Sequence, residues 1–343
     1  MHKKIYTTDN RVQHFNKVDV NEKLGKIIGK KFIKYRETWD KVNKYELETD
    51  FPLFIQLDMD QVCNLTCGHC ALNSVDNLSD FYSSDKLSWE DYKSIIAEGE
   101  EHSCPSISHT GFNEPLLDKD FERYIEYAYQ HNFIDIFLLT NGTLLSEKRA
   151  KRILDSGLTR IRFSIDAASP ETFKSVRGGK YEKVIKNIER FLDLQEKGGY
   201  KLPVTGVNFC KINLNEHEVE MFHAFWEDKV DMVSVQSFIP ADSEQRNLQF
   251  YPSDNFGDSH LIDDFQCPQP YQRVVLRNKN ITPCCSLDTR LTLGEIGKDT
   301  IYDVWNSEEM IEIRRIHRNK EHASNPACKV CAERIHGIPV LNS

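Results

Sequence analysis

No apolar run in the 343 residues approaches the roughly 18–20 needed to span a bilayer, and no basic start is followed by an apolar signal segment. The expectation is a cytoplasmic protein with no membrane insertion. An excess of positive charge is missing too. The net charge is −9, and residues 1–50 carry twelve Lys/Arg against eight Asp/Glu, which leaves about −13 for the rest by difference. Such a mildly basic arm reads as a solvated face, and without a basic stripe over the main domain nucleic acid is not an expected partner. Cysteine is what the chain has in quantity. Ten of them in a chain with no export signal argue for metal ligation and against a disulfide framework. With 39% hydrophobic residues a core of ordinary size is available, and the length points to one large α/β domain plus a smaller unit.

Residues 1–17 are polar and read as loose. From Val20 to Val42 the residues Leu24, Ile28, Phe32, Tyr35, Trp39 and Val42 recur at helical spacing, which predicts one amphipathic helix that covers an end of the main domain or binds a partner. Strand-like runs follow near 53–60, 106–111, 133–140, 160–166, 203–212 and 230–237, alternating with helical patterns near 88–101, 118–131, 146–156, 181–197 and 216–227. Six such repeats mean a parallel sheet with helices outside it. The strands alternate: Ile55 and Leu57 with Gln56 and Asp58, Ile161 and Phe163 with Arg162 and Ser164, Val207 and Phe209 with Asn208 and Cys210, Val233 and Val235 with Ser234 and Gln236. By the two-residue period of strands the apolar sets face the helices and the polar sets face inward. An inward polar face lines a wet or ligand-filled cavity, such as an incomplete barrel would provide.

Cys63, Cys67 and Cys70 stand at Cys-x3-Cys-x2-Cys directly after the first strand. Three thiolates are one short of the usual complement of a cubane iron–sulfur cluster, which leaves one iron open. Half of a zinc site, or three buried thiols, is the plainer alternative. With His69 before the last cysteine, the loop resembles that of radical S-adenosylmethionine (SAM) enzymes. Further stretches resemble that family's cofactor contacts, each at a strand end: Gly111-Phe112-Asn113-Glu114-Pro115, with Phe-Asn where Gly is usual; Thr140-Asn141-Gly142-Thr143; Ser164-Ile165-Asp166-Ala167; and Arg177 before Gly178-Gly179. The resemblance implies a SAM-binding 4Fe–4S cluster on Cys63, Cys67 and Cys70. It also implies that His69, Glu114, Asn141, Ser164, Asp166 and Arg177 bind SAM, with Glu114 at the methionine ammonium, Ser164 and Asp166 at the ribose or carboxylate, and Arg177 at the methionine carboxylate.

A second cysteine set closes the chain: Cys267, the adjacent Cys284 and Cys285, then Cys328-x2-Cys331. A hairpin through Asn278-Lys279 and a helix from Ile301 to Ile316 are expected between them. A zinc ribbon is again the plainer reading. The order of elements resembles the twitch or SPASM auxiliary-cluster domain of radical SAM enzymes, in the short form that holds one extra 4Fe–4S cluster, on Cys267, Cys328, Cys331 and either Cys284 or Cys285, with Cys284 preferred. Of the remaining cysteines, Cys104 is read as a packing residue, and the inward Cys210 as either a small buried hydrophobe or a hydrogen-atom donor.

The expected fold is a partial (β/α)6 TIM-like barrel with this small cluster domain, divided as an N-terminal helical extension (1–50), barrel (51–240), linker (241–266) and auxiliary-cluster domain (267–343). The resemblance, in particular to the deoxy-scyllo-inosamine dehydrogenase type, implies cleavage of SAM to a 5′-deoxyadenosyl radical that abstracts hydrogen from a substrate carbon. The expected substrate is a small sugar- or cyclitol-like molecule, oxidised or epimerised at a hydroxyl-bearing carbon, with electrons from a donor such as flavodoxin or ferredoxin. Modification of a ribosomally made peptide is the alternative, and a zinc-stabilised binding protein without SAM is the alternative of another class.

Overall fold

The computed structural model describes residues 3–6, 12–74, 86–240, 250–253 and 260–336. Among the described residues eleven strands, the last of them β11 (Gly294–Glu295), form one sheet in the order β1-β2-β8-β7-β6-β5-β4-β3-β9-β10-β11. The central six are β3 (Phe54–Asp58), β4 (Ser106–His109), β5 (Asp135–Thr140), β6 (Arg160–Ser164), β7 (Val204–Lys211) and β8 (Met232–Ser237). They pair in parallel and in sequence order. Each falls on a strand read from the sequence, and the helices between them are set by local signals. Ser88 and Asp91 form a capping box for Trp89–Glu101, Ser146 caps Glu147–Asp155, and Ser169 with Pro170 starts Pro170–Arg177. The apolar half of the strand alternation packs as expected: Ile55, Leu57, Ile107, Ile136, Leu138, Ile161, Phe163, Val207, Phe209, Val233 and Val235 are buried in one hydrophobic cluster.

The N-terminal segment differs from the sequence reading in two respects. Residues 1–17 are not loose where they are described: β1 (Lys3–Tyr6) pairs with β2 (Val12–Asn16), and β2 extends the sheet antiparallel to β8. Val12 and Phe15, three residues apart among polar residues, fall on opposite faces of the strand and so give no two-residue alternation to mark it. The expected single helix is two, Val20–Ile28 and Lys30–Asn43, because Gly29 takes φ 90, which a side chain disfavours and glycine does not. Together they plug one end of the sheet. Phe32, Tyr35 and Val42 share a hydrophobic cluster with Leu53 before β3 and with Val204 and Met232 of β7 and β8. Residues from both flanks of the sheet therefore meet under these helices, which requires the sheet to curve into an open barrel. Each buried Phe, Tyr or Val side chain there contributes about 1.5–3 kcal/mol.

On the other flank β9 (Arg273–Arg277) runs parallel to β3, and β10 (Asn280–Thr282) turns back through the expected hairpin, where Asn278 has φ 54. The cluster-domain hairpin is thus continuous with the barrel sheet. The expected helix from Ile301 to Ile316 is broken at Asn306 into Ile301–Trp305 and Glu308–Arg318, because Ser307 caps the second. Of the expected linker, 241–249 and 254–259 lie outside the described residues.

Candidate active site

The loop after β3 and the ends of β4, β5 and β6 converge on one cavity of about 150 Å³, lined by Cys63, Cys67, His69, Cys70, Phe112, Asn113, Glu114, Thr140, Asn141, Ser164 and Arg177. Two tight backbone bonds fold the loop, Cys70 N–H to the Cys67 carbonyl at 3.1 Å and Asn73 N–H to the Cys70 carbonyl at 2.9 Å. Asn141 joins the loop to β5. Its Nδ2 donates to Asn64 Oδ1 at 2.9 Å and to Cys63 Sγ at 3.8 Å, while its Oδ1 accepts from Thr143. Glu114 accepts from Thr140 Oγ1 (2.6 Å), Asn141 N–H (2.6 Å) and Leu116 N–H (3.1 Å), so it also braces the cavity wall. Burial pushes its carboxyl up, against the pull of those donors.

Asp166 lies just behind the cavity with φ 58, a conformation that costs a non-glycine residue free energy and recurs at functional sites. It pairs with Arg177, accepts from Cys210 N–H at 2.7 Å, and stands 3.6 Å from His69 Nε2. Burial alone would raise the Asp166 carboxyl, but Arg177 and then His69 hold it below the usual carboxylate range. Burial likewise opposes the Arg177 cation, and Asp166 outweighs it and raises the pKa. The Cys67 thiol is pushed up by burial, which Arg177 partly offsets, and burial pushes Cys70 to about 12. Metal-ligating thiols bind as thiolates, so cations must replace these protons.

Among the described residues no set of three or more His, Cys, Asp or Glu side chains is drawn together tightly enough for a single metal ion. A four-iron cluster takes its thiolates at separate corners, which is a wider arrangement. The donor set fits such a cluster with one open corner. His69 Nδ1, Asn113 Oδ1 and Arg177 Nε are buried there without hydrogen-bond partners, so donors and an acceptor await a ligand that carries both kinds of group.

The C-terminal cysteines gather in a second, apolar chamber. Cys267, Cys284, Cys328 and Cys331 line it with Phe265, Pro270, Leu291, Ile313 and His317. Cys285 does not. It is exposed, its N–H donates to Gln269 Oε1 at 3.0 Å, and its sulfur accepts from Gln269 Nε2 at 3.4 Å. Cys104 is buried, with its thiol donating to the Ser106 carbonyl, as a packing residue would be. Cys210 is half-buried against Val176, Ile212, Phe238, Phe250 and Tyr251, close enough to Cys67 and Cys70 to feel their charge. Burial holds its thiol far above the ordinary value, so it stays protonated.

The join between the two chambers was not foreseen. Asp58, fully buried on β3, pairs with Arg277 on β9 at 3.3 Å, and Arg277 donates onward to the carbonyls of Ser286 (3.0 Å) and Cys285 (3.4 Å). The guanidinium also lies 5.6 Å from the ring centre of Phe112, one of the two residues at which the Gly-Phe-Asn-Glu-Pro stretch departs from the expected motif. A Cβ on Gly111 would stand 2.1 Å from the Asp58 carboxylate, so glycine is required there. The sequence showed Asp58 as an inward acid, but nothing in it named the partner.

A profile described as the radical SAM superfamily matches residues 60–225, and one described as an iron–sulfur cluster-binding domain, SPASM, matches 267–332. Curated relatives include a probable GTP 3′,8-cyclase of Methanocaldococcus jannaschii, 28% identical over 57% of this chain and 62% of that protein. The GTP 3′,8-cyclase of Desulforamulus reducens is 30% identical over 49% of this chain and 50% of that protein. The match thus spans only about half to six-tenths of these relatives' length. Among solved structures, BtrN in complex with AdoMet and 2-DOIA superposes with a TM-score of 0.54 at 18% identity, covering 83% of this chain and 93% of BtrN. Streptococcus suis SuiB bound to the precursor peptide SuiA gives 0.59 at 15% identity, covering 88% and 75%. At these identities the structures show the shared fold. The two profiles, lying on the two cysteine sets, identify this chain as a radical SAM enzyme with a C-terminal SPASM domain, whose cofactors are 4Fe–4S clusters and SAM.

Proposed function

We propose that this enzyme oxidises a hydroxyl-bearing carbon of a small sugar- or cyclitol-like molecule. The observation that carries the reading is the pairing of a three-thiol cavity at the mouth of a polar barrel with a separate four-thiol chamber, joined through Asp58, Arg277 and Phe112. When bound, the clusters and SAM supply a carbon-centred radical that takes a hydrogen atom, and an acceptor for the electron left behind. The chain's residues position and enclose. We assign the first cluster to Cys63, Cys67 and Cys70, and the second to Cys267, Cys284, Cys328 and Cys331. Arg177, with its unpartnered Nε, would hold the methionine carboxylate and Ser164 the ribose, while Glu114 and Asn141 brace the wall of that cavity. Inward hydroxyl and amide groups such as Ser108 and Asn208, both with unpartnered oxygens, suit hydroxyls of a substrate. Residues 51–240 and 267–343 are the two working units, with 1–50 serving as edge and floor of the barrel. The electron donor is a flavodoxin or ferredoxin.

Epimerisation is the second reading, favoured by Cys210, whose protonated thiol lies near the cluster loop and is suited to returning a hydrogen atom. Peptides and GTP, named for SuiB and for the cyclases, are the competing substrates. The reduced holoenzyme is to be incubated with SAM and, in turn, deuterated cyclitols and aminosugars, GTP and peptides. Deuterium in 5′-deoxyadenosine from a cyclitol or sugar, with a ketone product, is the expected result. Transfer from GTP or a peptide carbon replaces the reading. Solvent deuterium at the reacting carbon, lost in C210A, makes the enzyme an epimerase.

A further inference from the structure

Inside the barrel, Arg162 has no carboxylate of its own among the described residues. Arg162 points inward from the middle of β6, and among the described residues its one hydrogen bond is from Nη2 to the thioether sulfur of Met232, at 3.7 Å. Sulfur is a weak acceptor. Its other neighbour is the face of Phe137, 5.4 Å from Cζ to ring centre. Asp135, the carboxylate that acts on it, is engaged by Arg160 at 2.6 Å and by Thr159 at 3.2 Å. His14 on β2 adds no negative charge and is itself kept neutral, its pKa lowered to about 4 by burial and then by Arg162. Among the described residues Arg162 is therefore left without a carboxylate of its own. Arg162 is half-buried, as a guanidinium facing an internal lumen would be. Gly206 opposite leaves the room: a Cβ there would touch the Arg162 side chain at 3.4 Å.

A buried cation without a partner is expensive, and proteins keep one where a ligand completes it. We propose that Arg162 is the anchor for an anionic group of the substrate, a carboxylate or a phosphate. A guanidinium presents a planar fork to either. Ser164, two residues further along the same face of β6, lines the cofactor cavity, so the anion would sit about 7 Å below it at the usual strand rise. Asn208 Oδ1 on the adjacent strand β7 and His14 Nδ1 on β2, two strands beyond it, are both buried and unpartnered and could hold the remaining polar groups. The inference rests on the reading of the lumen as a substrate site and restricts the sugar- or cyclitol-like substrate to acidic or phosphorylated forms.

The test is thermal unfolding of the reconstituted, SAM-saturated full-length enzyme in phosphate, acetate or chloride at matched ionic strength. A saturable rise of about 2 °C or more over chloride is expected in at least one oxyanion, and the arm that responds tells phosphate from carboxylate. R162M should lose the response and, without oxyanion, unfold at a higher temperature than wild type. R162K, which keeps the charge without the fork, should respond at reduced affinity. No saturable rise in wild type, or an equal rise in R162M, overturns the proposal. If R162M does not fold, wild type and R162K decide by the same criteria. Deoxyadenosine formation by wild type in the same preparation reports separately on the radical reading, so either can fail alone.

Discussion

The two cysteine chambers are built on opposite principles. At the barrel mouth three thiols share a cavity with Glu114, Asn141, Ser164 and the Arg177 side of a buried ion pair. In the C-terminal chamber four thiols are walled by Phe265, Pro270, Leu291 and Ile313. Polar, partly unpartnered walls leave a metal corner for a charged ligand, whereas apolar walls around a full set of thiolates exclude one. Under the proposed function, the first would carry the chemistry and the second would handle the electron. The join at Asp58 and Arg277 shows that they are held as one piece.

The strongest way to break this comparison is to empty one chamber at a time. C63A/C67A/C70A should halve the iron from about eight to about four per chain and abolish deoxyadenosine formation. C267A/C328A should lose the same iron yet retain SAM cleavage while losing substrate oxidation. Iron and sulfide analysis with product chromatography checks both, and abolition of SAM cleavage in both variants would erase the distinction.

A smaller effect separates the barrel's outer wall from both chambers. His109 is buried with neither ring nitrogen hydrogen-bonded, and burial lowers its pKa to about 3. The unfolded chain takes up this proton near pH 6.5, so between there and about pH 3 it binds more protons than the folded one, and stability falls as the pH drops. H109F, set among Tyr92, Phe121 and Tyr124, should spare about 3 kcal/mol of that loss at pH 4, measured by denaturant titration at pH 7 and pH 4. An unchanged acid loss would place the lability elsewhere. The smallest effect is expected of C285A. This exposed residue lies outside the chamber, so iron content should hold and stability should change by no more than about 0.5 kcal/mol, whereas C284A should lose the auxiliary cluster.

Most of the barrel was legible because the strands carry their own alternation and several helices their own cap, so Ile161 to Ser164 or Ser88 to Asp91 declare their state locally. The site was legible for a related reason, since the Cys63 loop and the stretches at Glu114, Asn141 and Ser164 follow strand ends that a parallel sheet brings to one side; Arg177, expected at a strand end too, is instead the last residue of the helix Pro170–Arg177. What escaped depends on partners far along the chain. The pairing of β2 with β8 joins residues more than 200 positions apart, as does that of Asp58 with Arg277. No local pattern encodes either. The breaks at Gly29 and Ser307 were visible as residues, but the apolar periodicity runs through both.

The most direct measurement is electron–nuclear double resonance on the reduced cluster with SAM labelled by 15N at its amino group. With only the Cys63, Cys67 and Cys70 set intact, in C267A/C328A, coupling of the label to the cluster is expected. With only the C-terminal set intact, none is expected. Coupling in the second variant, or its absence in the first, would contradict the assignment of an open metal corner to the three-thiol cavity.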